Sequence, residues 1–522
     1  MNSVPQVSKW IITATVMLPT LIEIMDINIT NVSLHTIQGS LSADASESTW
    51  IVTSYLVANA IIIPMSGWLA KVFGRKRYLM FSITVFTIAS VLCGTATSLT
   101  QLIAYRVLQG LGGGALQPMS QAILMESFPE DERTKALSIF LIGVASGPIL
   151  GPYLGGWITD NYSWRWIFFV NTPFGVIALI LTAMFIHDPE THERLKKGDA
   201  IDWVGILLLT VGMGSLQIML DKGQEYDWFG SNTIIALCII AVVCLTFLVV
   251  WELNHELPIT NLRLMLIPNY GLGCVLVFTG FFTYYGGLVL LPEFLQDLYG
   301  LSPTQAGEVT GLFGITLYVT ILLVNRMYQF LDGRIIIIIG LLFLVFGFYN
   351  LSMQTPDSGY WDFALARAIM STGLPLYYVG TSILTYAYVS NKQLTEATPM
   401  FNVVRNMGSS FGVAFATTVV ARRSQYHQSV LVNFLTDGLP AYDRWIAHAK
   451  KLIFYKFGNV PELNYIAKAL AYNELQFQSK LLAYFDAFFL MAMFFLIMML
   501  FVIKLHDPRP QKNKEKSQPP SE

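Results

Sequence analysis

The chain has 522 residues, of which 54% are hydrophobic and only 13% are charged, and its net charge is -2. Soluble domains carry about a quarter charged residues, so this composition excludes a soluble globular protein. The near-neutral charge also gives no basic field for binding nucleic acid. Apolar stretches long enough to cross a hydrocarbon core of about 30 Å recur along the chain. We therefore predict an all-α integral membrane protein in contact with the lipid bilayer.

Apolar windows bounded by charged residues, Pro/Gly clusters or Asn/Asp clusters predict fourteen membrane spans. Six lie near residues 10–36, 49–70, 78–97, 101–124, 135–159 and 165–186. Two shorter ones lie near 201–220 and 231–251. Six more lie near 269–292, 305–325, 335–353, 362–389, 398–421 and 481–505. The first run is too long for a cleavable signal peptide and is predicted to be a retained span.

The distribution of Lys and Arg orients these spans. With the N-terminus in the cytoplasm, the inward segments hold 19 basic residues and the short outward loops hold two, so the positive-inside rule predicts two cytoplasmic termini. One long outward segment, about 422–480, holds eight basic residues, but the rule hardly applies to a segment of this length. Residues 442–457 and 463–477 within it mix apolar and charged residues at near-helical spacing, which predicts one or two helices outside the bilayer. The polar tail 508–522 is predicted to be disordered.

Charged side chains inside the spans are costly unless they are paired or hydrated, so they mark functional sites by default. Glu23 and Asp26 lie three residues apart in the first span, on one helical face, with Asn28 and Asn31 as polar neighbours. A carboxyl group in a low-dielectric cavity takes up a proton more readily than one in water. This suits a proton carrier, and we favour Asp26 over Glu23 for that role. The alternative is that one of them only caps or braces a neighbouring helix.

Arg106 lies in the fourth span and, as an isolated buried cation, needs an acceptor, for which Asp26 is the candidate. If the two approach each other, Arg106 changes the proton affinity of Asp26. A structural tie between helices is the other interpretation; the two are not exclusive, and we favour the functional one. Asn28 and Asn31 in the first span and Gln117 in the fourth are candidates for lining a substrate cavity. Arg367 and Arg405, in the twelfth and thirteenth spans, are weaker candidates.

The fifth span contains glycines four residues apart, with two prolines between them. This spacing places the glycines on one face, where a second helix backbone can approach closely, and the prolines remove donors and bend the helix. We interpret the pattern as the hinge of a helix that slides or rocks, although a static packing surface would give the same spacing. The residues are Gly143, Gly147, Pro148, Gly151, Pro152 and Gly155.

The stretch GWLAKVFGRKRYL, residues 67–79, follows the second span and is placed in a cytoplasmic gate loop. We expect Gly67 and Gly74 to permit tight turns there, and Arg75 and Lys76 to bind carboxylates or helix C-termini. An orientation signal alone would explain the charges but not the glycine spacing. The sequence shows no nucleotide-binding loop, His/Cys metal cluster or nucleophile elbow, so we expect no metal, no cofactor and no enzymatic activity. Energy is then expected from an ion gradient.

Four stretches resemble motifs of the major facilitator superfamily. GWLAKVFGRKR resembles its loop signature and YRVLQGLGGG its fourth-helix motif. GVASGPILGPYLGGW resembles the fifth-helix motif of exporters, and IMDINITNVSL the first-helix motif of the fourteen-helix drug:proton antiporters. The resemblance covers nearly the whole chain and is strongest to the EmrB-type multidrug exporters of that branch.

The resemblance implies the major facilitator fold, with six-helix bundles within 1–190 and 263–507 and two extra transmembrane helices inserted within 191–262. It also implies proton-coupled efflux of diverse hydrophobic or cationic drugs and toxins across the inner membrane by alternating access. Asp26 takes the place of the first-helix acid, Arg106 that of the proton-transfer arginine, and Gly147 with Pro148 that of the exporter hinge. Lys71 departs from the loop signature, which often has an acid at this position. The sequence leaves open whether the charge relay that closes the inward face of relatives operates here.

EmrB-type exporters are similar in working with a periplasmic adaptor and an outer-membrane channel, and the resemblance implies such partners, with the segment 422–480 as a candidate contact. Two alternatives remain open. One keeps the fold but changes the direction or the cargo, to uptake or to export of a metabolite such as a siderophore or fatty acid. The other is a non-transporting receptor or scaffold, against which the Gly/Pro pattern and the intramembrane charges argue.

Overall fold

A computed structural model of the chain describes residues 8–129, 132–188, 202–255, 258–390, 393–436, 438–458 and 462–507. These residues form helices and short connections, with no β-strand among them. The predicted disordered tail, 508–522, lies outside the described residues, as do positions 191–201 of the predicted linker.

Within the described residues, nine helices, two of them four residues long, form the first half of the bundle. They are α1 (Lys9–Ser40), α2 (Ala45–Ser48), α3 (Trp50–Phe73), α4 (Arg75–Thr95), α5 (Leu99–Gly113), α6 (Leu116–Ser127), α7 (Arg133–Asn161), α8 (Trp166–Phe169) and α9 (Asn171–Phe185). The fourth predicted span is interrupted between α5 and α6, where three consecutive glycines, 112–114, weaken the helix.

Nine further helices among the residues that the structure describes form the inserted pair and the second half. They are α10 (Trp203–Lys222), α11 (Asn232–Asn254), α12 (Pro268–Glu293), α13 (Pro303–Phe330), α14 (Gly333–Ser352), α15 (Tyr360–Tyr386), α16 (Leu394–Leu431), α17 (Pro440–Phe457) and α18 (Leu463–Val502). The helices α10 and α11 are the predicted inserted pair. Ile63 of α3, Met213 of α10 and Val403 of α16 share one apolar cluster, so the pair packs where the two halves meet.

Each half has its own apolar core. In the first half Tyr55, Phe86 and Phe140 are fully buried, and the second half buries a larger group around Phe348 and Phe488. Leu141 and Ala145 of α7 join the core of the second half, so the halves pack against each other along α7.

Each of the fourteen predicted spans coincides with one or two helices of the structure, but the number of helices that cross the membrane stays a prediction. Among the described residues, ten helices are long and apolar enough to cross a membrane by length and composition. The other four predicted spans are α5 with α6, α7, α15 and α16. They carry more glycine, proline and polar residues, because they line the charged interior described below.

The helix α18 is 40 residues long, or about 60 Å at 1.5 Å per residue, which is twice the thickness of the hydrocarbon core. Its first part therefore projects beyond the predicted span 481–505. The helix α17 packs on this projecting part. Of the two predicted outer helices, α17 is separate, whereas residues 463–477 are the continuous start of α18.

Candidate functional site

The most buried charges of the first half form an ion pair between α1 and α5. Arg106 Nη1 lies 2.5 Å from Asp26 Oδ2, and neither side chain exposes more than 1% of its surface. The structure thus shows the pairing that the sequence predicts for Arg106. Removing one partner of such a buried pair costs about 3–5 kcal/mol, so the pair ties α1 to α5 while both groups are charged.

Three uncharged side chains complete the surroundings of Asp26. Its Oδ1 accepts hydrogen bonds from Gln109 Nε2 at 2.9 Å and from Asn171 Nδ2 at 2.7 Å. Gln109 Nε2 also donates to Ser90 Oγ at 2.8 Å, and Gln109 Oε1 accepts from Arg106 Nη1 at 2.7 Å. The Asp26 carboxyl group therefore connects α1 to α5 and α9 directly, and to α4 through Gln109.

Sequence reasoning missed Gln109, Asn171 and Ser90. A signal was present for Gln109, because a residue three positions after Arg106 shares its helix face. For the other two, the only signal was a single polar residue in an apolar run, which occurs at many positions in this chain.

Arg106 has further partners that do not depend on Asp26. Its Nε donates to the Ile51 carbonyl at 3.1 Å, and its guanidinium carbon lies 4.3 Å from the centroid of the Tyr55 ring. Such a cation–π contact is worth about 2 kcal/mol when it is desolvated. Arg106 is therefore held by α3 as well as by Asp26.

Glu23 lies one turn from Asp26 and is equally buried, with 2% of its surface exposed. Its Oε1 accepts from Asn59 Nδ2 at 3.0 Å, and its carboxyl group also interacts with the Gln117 side chain of α6. The Arg405 guanidinium, on α16 of the other half, attracts this carboxylate. Glu23 therefore faces the boundary between the halves, whereas Asp26 is enclosed within the first half.

Arg405 is the centre of a polar contact between the halves. Its Nη2 donates to Gln117 Oε1 of α6 at 2.7 Å, and its guanidinium carbon lies 5.7 Å from the Phe281 ring centroid. One turn away, Asn402 Nδ2 donates to Gln121 Oε1 at 2.7 Å. Two side-chain hydrogen bonds therefore join α6 to α16 at this level.

The other predicted cavity residues lie elsewhere. Asn28 donates to the Ile24 carbonyl of its own helix at 2.7 Å, and Asn31 is exposed, so neither belongs to the hydrogen bonds around Asp26. Arg367 is buried in the second half, with its guanidinium carbon 5.8 Å from the Tyr284 ring centroid.

The glycines of α7 face α1. A Cβ added to any of the four would meet a residue of α1, whereas one added to Gly156 would meet nothing within 4 Å. The four pairs are Gly143 with Met17, Gly147 with Ile24, Gly151 with Asn28 and Gly155 with Ile29. Pro148 and Pro152 fall within α7, and their side chains lie outside the described part of the structure. The helix that carries Glu23 and Asp26 is thus packed closely on α7, and a hinge in α7 stays a prediction.

The predicted gate loop is mostly helical. Because α3 ends at Phe73 and α4 begins at Arg75, Gly74 alone makes the turn, with a φ of 85° that favours glycine. The prediction that Gly67 forms a turn is wrong, because Gly67 lies inside α3. A Cβ there would lie 2.8 Å from the Thr395 carbonyl oxygen of α16, so this glycine lets the two halves approach.

Two neighbouring acids hold this end of the bundle together. Lys71 of α3 forms an ion pair with Glu396 of α16, across the two halves. Arg75 pairs with Glu126 of α6, and Glu126 Oε1 in turn accepts from Thr395 Oγ1 at 3.3 Å. Lys71 therefore has an acidic partner, and an ion pair joins the two halves at this end.

Lys76 acts within the first half instead. Its backbone N–H donates to Asp188 Oδ1 at 2.8 Å and its Nζ to the Ala183 carbonyl at 2.5 Å. It therefore ties the start of α4 to the end of α9.

Two helical halves that meet at a buried charged site define the architecture of a secondary transporter. Residues 16–252 and 272–435 match the family description Major Facilitator Superfamily, and the chain belongs to this superfamily of multi-pass membrane transporters. The match confirms the predicted family and fold.

Relatives lie among drug exporters. The chain is 37% identical to the multidrug export protein EmrB of Escherichia coli K12 over 422 residues, which cover 81% of this chain and 82% of that protein. It is 35% identical to the fatty acid resistance protein FarB of Neisseria gonorrhoeae over 437 residues, covering 84% and 86%.

Solved structures show the same fold. The human organic anion transporter MFSD10 matches with a TM-score of 0.60 and 13% identity, covering 96% of this chain and 100% of that one. The proton:xylose symporter XylE matches with a TM-score of 0.56 and 16% identity, covering 86% and 96%.

Proposed function

We propose that the chain is a proton-coupled exporter of structurally diverse hydrophobic or cationic drugs and toxins, working by alternating access. The observation that carries this proposal is the position of the two buried carboxyl groups. Asp26 is enclosed with Arg106, and Glu23, one turn away, faces Arg405 across the halves. The multidrug export proteins among the relatives support the same cargo class.

Proton binding at Asp26 gives a route to movement. A charged Asp26 accepts from Arg106, Gln109 and Asn171, and neutralisation weakens all three bonds, since hydrogen bonds to charged groups are worth about 1.5–3 kcal/mol. The freed α1 is packed on the glycines of α7. Ser146 of α7 lies 2.7 Å from the Tyr318 hydroxyl of the second half, so a shift of α1 reaches the other half.

The positive-inside pattern supports an inner-membrane location with both termini in the cytoplasm. In that orientation the Lys71–Glu396 end faces the cytoplasm, and α17 with the start of α18 faces outward. A periplasmic adaptor and an outer-membrane channel are the proposed partners at that outward end. The proton gradient supplies the energy, without a cofactor.

Everted membrane vesicles test the proposal. An imposed pH gradient should drive accumulation of a cationic dye in vesicles that contain the protein, and Asp26→Asn should abolish this accumulation. Asp44→Asn, in the exposed turn after α1, is the matched control and should behave as the wild type. The proposal is lost if the gradient produces no accumulation, or if Asp26→Asn accumulates the dye normally.

Export of fatty acids is a second candidate, because one relative is named a fatty acid resistance protein. The buried cation Arg405 suits a carboxylate headgroup, and its neighbour Phe281 suits an acyl chain. Substrate-stimulated proton flux in proteoliposomes separates the two candidates: fatty acids alone would stimulate flux in a dedicated transporter, and several cationic drugs would do so in a multidrug exporter.

A further inference from the structure

The outward helix α17 has two apolar faces, and only one of them is packed. Tyr442, Ile446, Ala449 and Ile453, spaced by four, three and four residues, are buried on α18. A second set begins one residue earlier, spaced by four, three, four and three residues, and is exposed along its whole length. This second stripe consists of four apolar residues, Ala441, Trp445, Leu452 and Tyr455, and of the polar His448 between them.

The second stripe leaves a large apolar area exposed. Trp445 exposes 40% of its surface, Leu452 57% and Tyr455 92%. Alternating steps of four and three residues are the heptad spacing that fits another helix in a coiled coil. Because the two stripes are offset by one residue, they point about 100° apart. The helix α17 is therefore shaped to contact two helices, of which α18 is one.

The flanks of the second stripe carry one sign of charge. Arg444 and Lys451 border it on one side, while Asp443 lies on the opposite face of the helix. Residues that flank an apolar coiled-coil seam select partners through charge pairs. The partner helix should therefore carry acidic residues beside its own apolar seam.

We propose that the second stripe of α17 docks an α-helix of a partner protein, with an apolar heptad seam flanked by acidic residues. The inference deepens the proposed function and rests on it in one respect, namely that residues 422–480 face outward. It names the surface and the chemistry of the partner.

The direction of α17 argues against the bilayer as the occupant. Ala467 and Ala471, which pack against α17, lie 14 and 10 residues before residue 481, the start of the predicted span, or about 21 and 15 Å along α18. The helix α17 thus runs beside a helix that leaves the membrane, whereas an interfacial helix lies flat in the membrane surface. A second copy is disfavoured because it would bring basic flanks together.

Binding of a synthetic helix to the full-length protein in nanodiscs tests the inference. The probe is a fluorescent 21-residue peptide with Leu and Ile in the seam and Glu at the flanks, and the control peptide has Lys at the flanks. We expect saturable binding of the Glu peptide only, weakened at least about tenfold by Leu452→Glu. Ala447→Glu, on another exposed face of α17, should leave binding unchanged.

Three results would overturn the inference: equal binding of both peptides or of neither, a dimer in light scattering that Leu452→Glu dissociates, or a blue shift of Trp445 fluorescence caused by lipid vesicles alone. Proton-driven dye uptake is measured on the same variant and should be unchanged, because the stripe lies far from Asp26. Absence of uptake in the wild type would overturn the proposed function, while the peptide result would still decide the docking surface.

Discussion

The ion pair between Lys71 and Glu396 should set how readily the two halves separate at the end of the bundle that contains Gly74. The two side chains expose 33% and 15% of their surface. An exposed ion pair contributes about 0.2–1 kcal/mol of stability, and this partly buried pair should contribute more than that but less than a fully buried one. We therefore assign this ion pair a contribution of about 1–2 kcal/mol, which is a factor of about 5–30 in an equilibrium constant. Lys71→Ala should therefore shift the ratio of closed to open molecules about 5–30-fold towards open.

Reversing one charge should act more strongly. Two carboxylates about 4 Å apart repel by about 4 kcal/mol at an effective dielectric constant of about 20, so Lys71→Glu should open this end further than Lys71→Ala. The double variant Lys71→Glu/Glu396→Lys should restore most of the closed population. Restoration will be incomplete by about 1 kcal/mol, because Asn261 Nδ2 donates to Glu396 Oε2 at 2.7 Å and a lysine cannot accept that bond.

Distances between spin labels measure the effect. Labels at the exposed positions Phe73 and Ser390 report the separation of the halves at this end. The swap Asp332→Arg/Arg334→Asp is the control, since its ion pair lies within one turn of the second half and should leave the distances unchanged. An unchanged distance distribution in Lys71→Glu, or no rescue by the double variant, would refute the reasoning.

Two further predictions concern the packing around Asp26. Gly147→Ala places a methyl group against Ile24 and should destabilise the protein by about 1–3 kcal/mol. The measurement is the unfolding temperature, which should fall. Gly156→Ala is the control and should leave the unfolding temperature unchanged, because its Cβ would meet nothing within 4 Å. Gln109→Leu removes a donor from Asp26 and should cost about 1–3 kcal/mol and slow proton-driven transport; normal stability and transport in this variant would contradict the assigned role of the amide.

The helices were predictable because membrane spans leave a signal in the length of an apolar run. The ion pair of Asp26 and Arg106 was predictable for a related reason: charges inside spans are so rare that each has few possible partners. The glycine spacing in α7 identified a closely packed face, but not that α1 is the helix packed on it. A local pattern gives the face of a helix and not its neighbour.

The contacts between the halves were not predictable in the same way. Lys71 and Glu396 are far apart in the chain, and their pairing depends on how the two halves are rotated against each other. Gly67 was misplaced for a related reason, since its close neighbour is a backbone carbonyl of α16 and leaves no trace in the local sequence. Asn171 carries no charge, and hydropathy does not separate it from polar residues that face a turn, whereas Gln109 shares the helix face of Arg106 and could have been found from that spacing.

Simultaneous measurement of drug and proton movement in proteoliposomes tests the central claim most directly. Purified protein should carry a cationic drug against its concentration gradient when protons flow the opposite way, and Asp26→Asn should bind the drug without this exchange. Drug movement that only runs down its own gradient, at the same rate with and without a pH difference, would contradict the account.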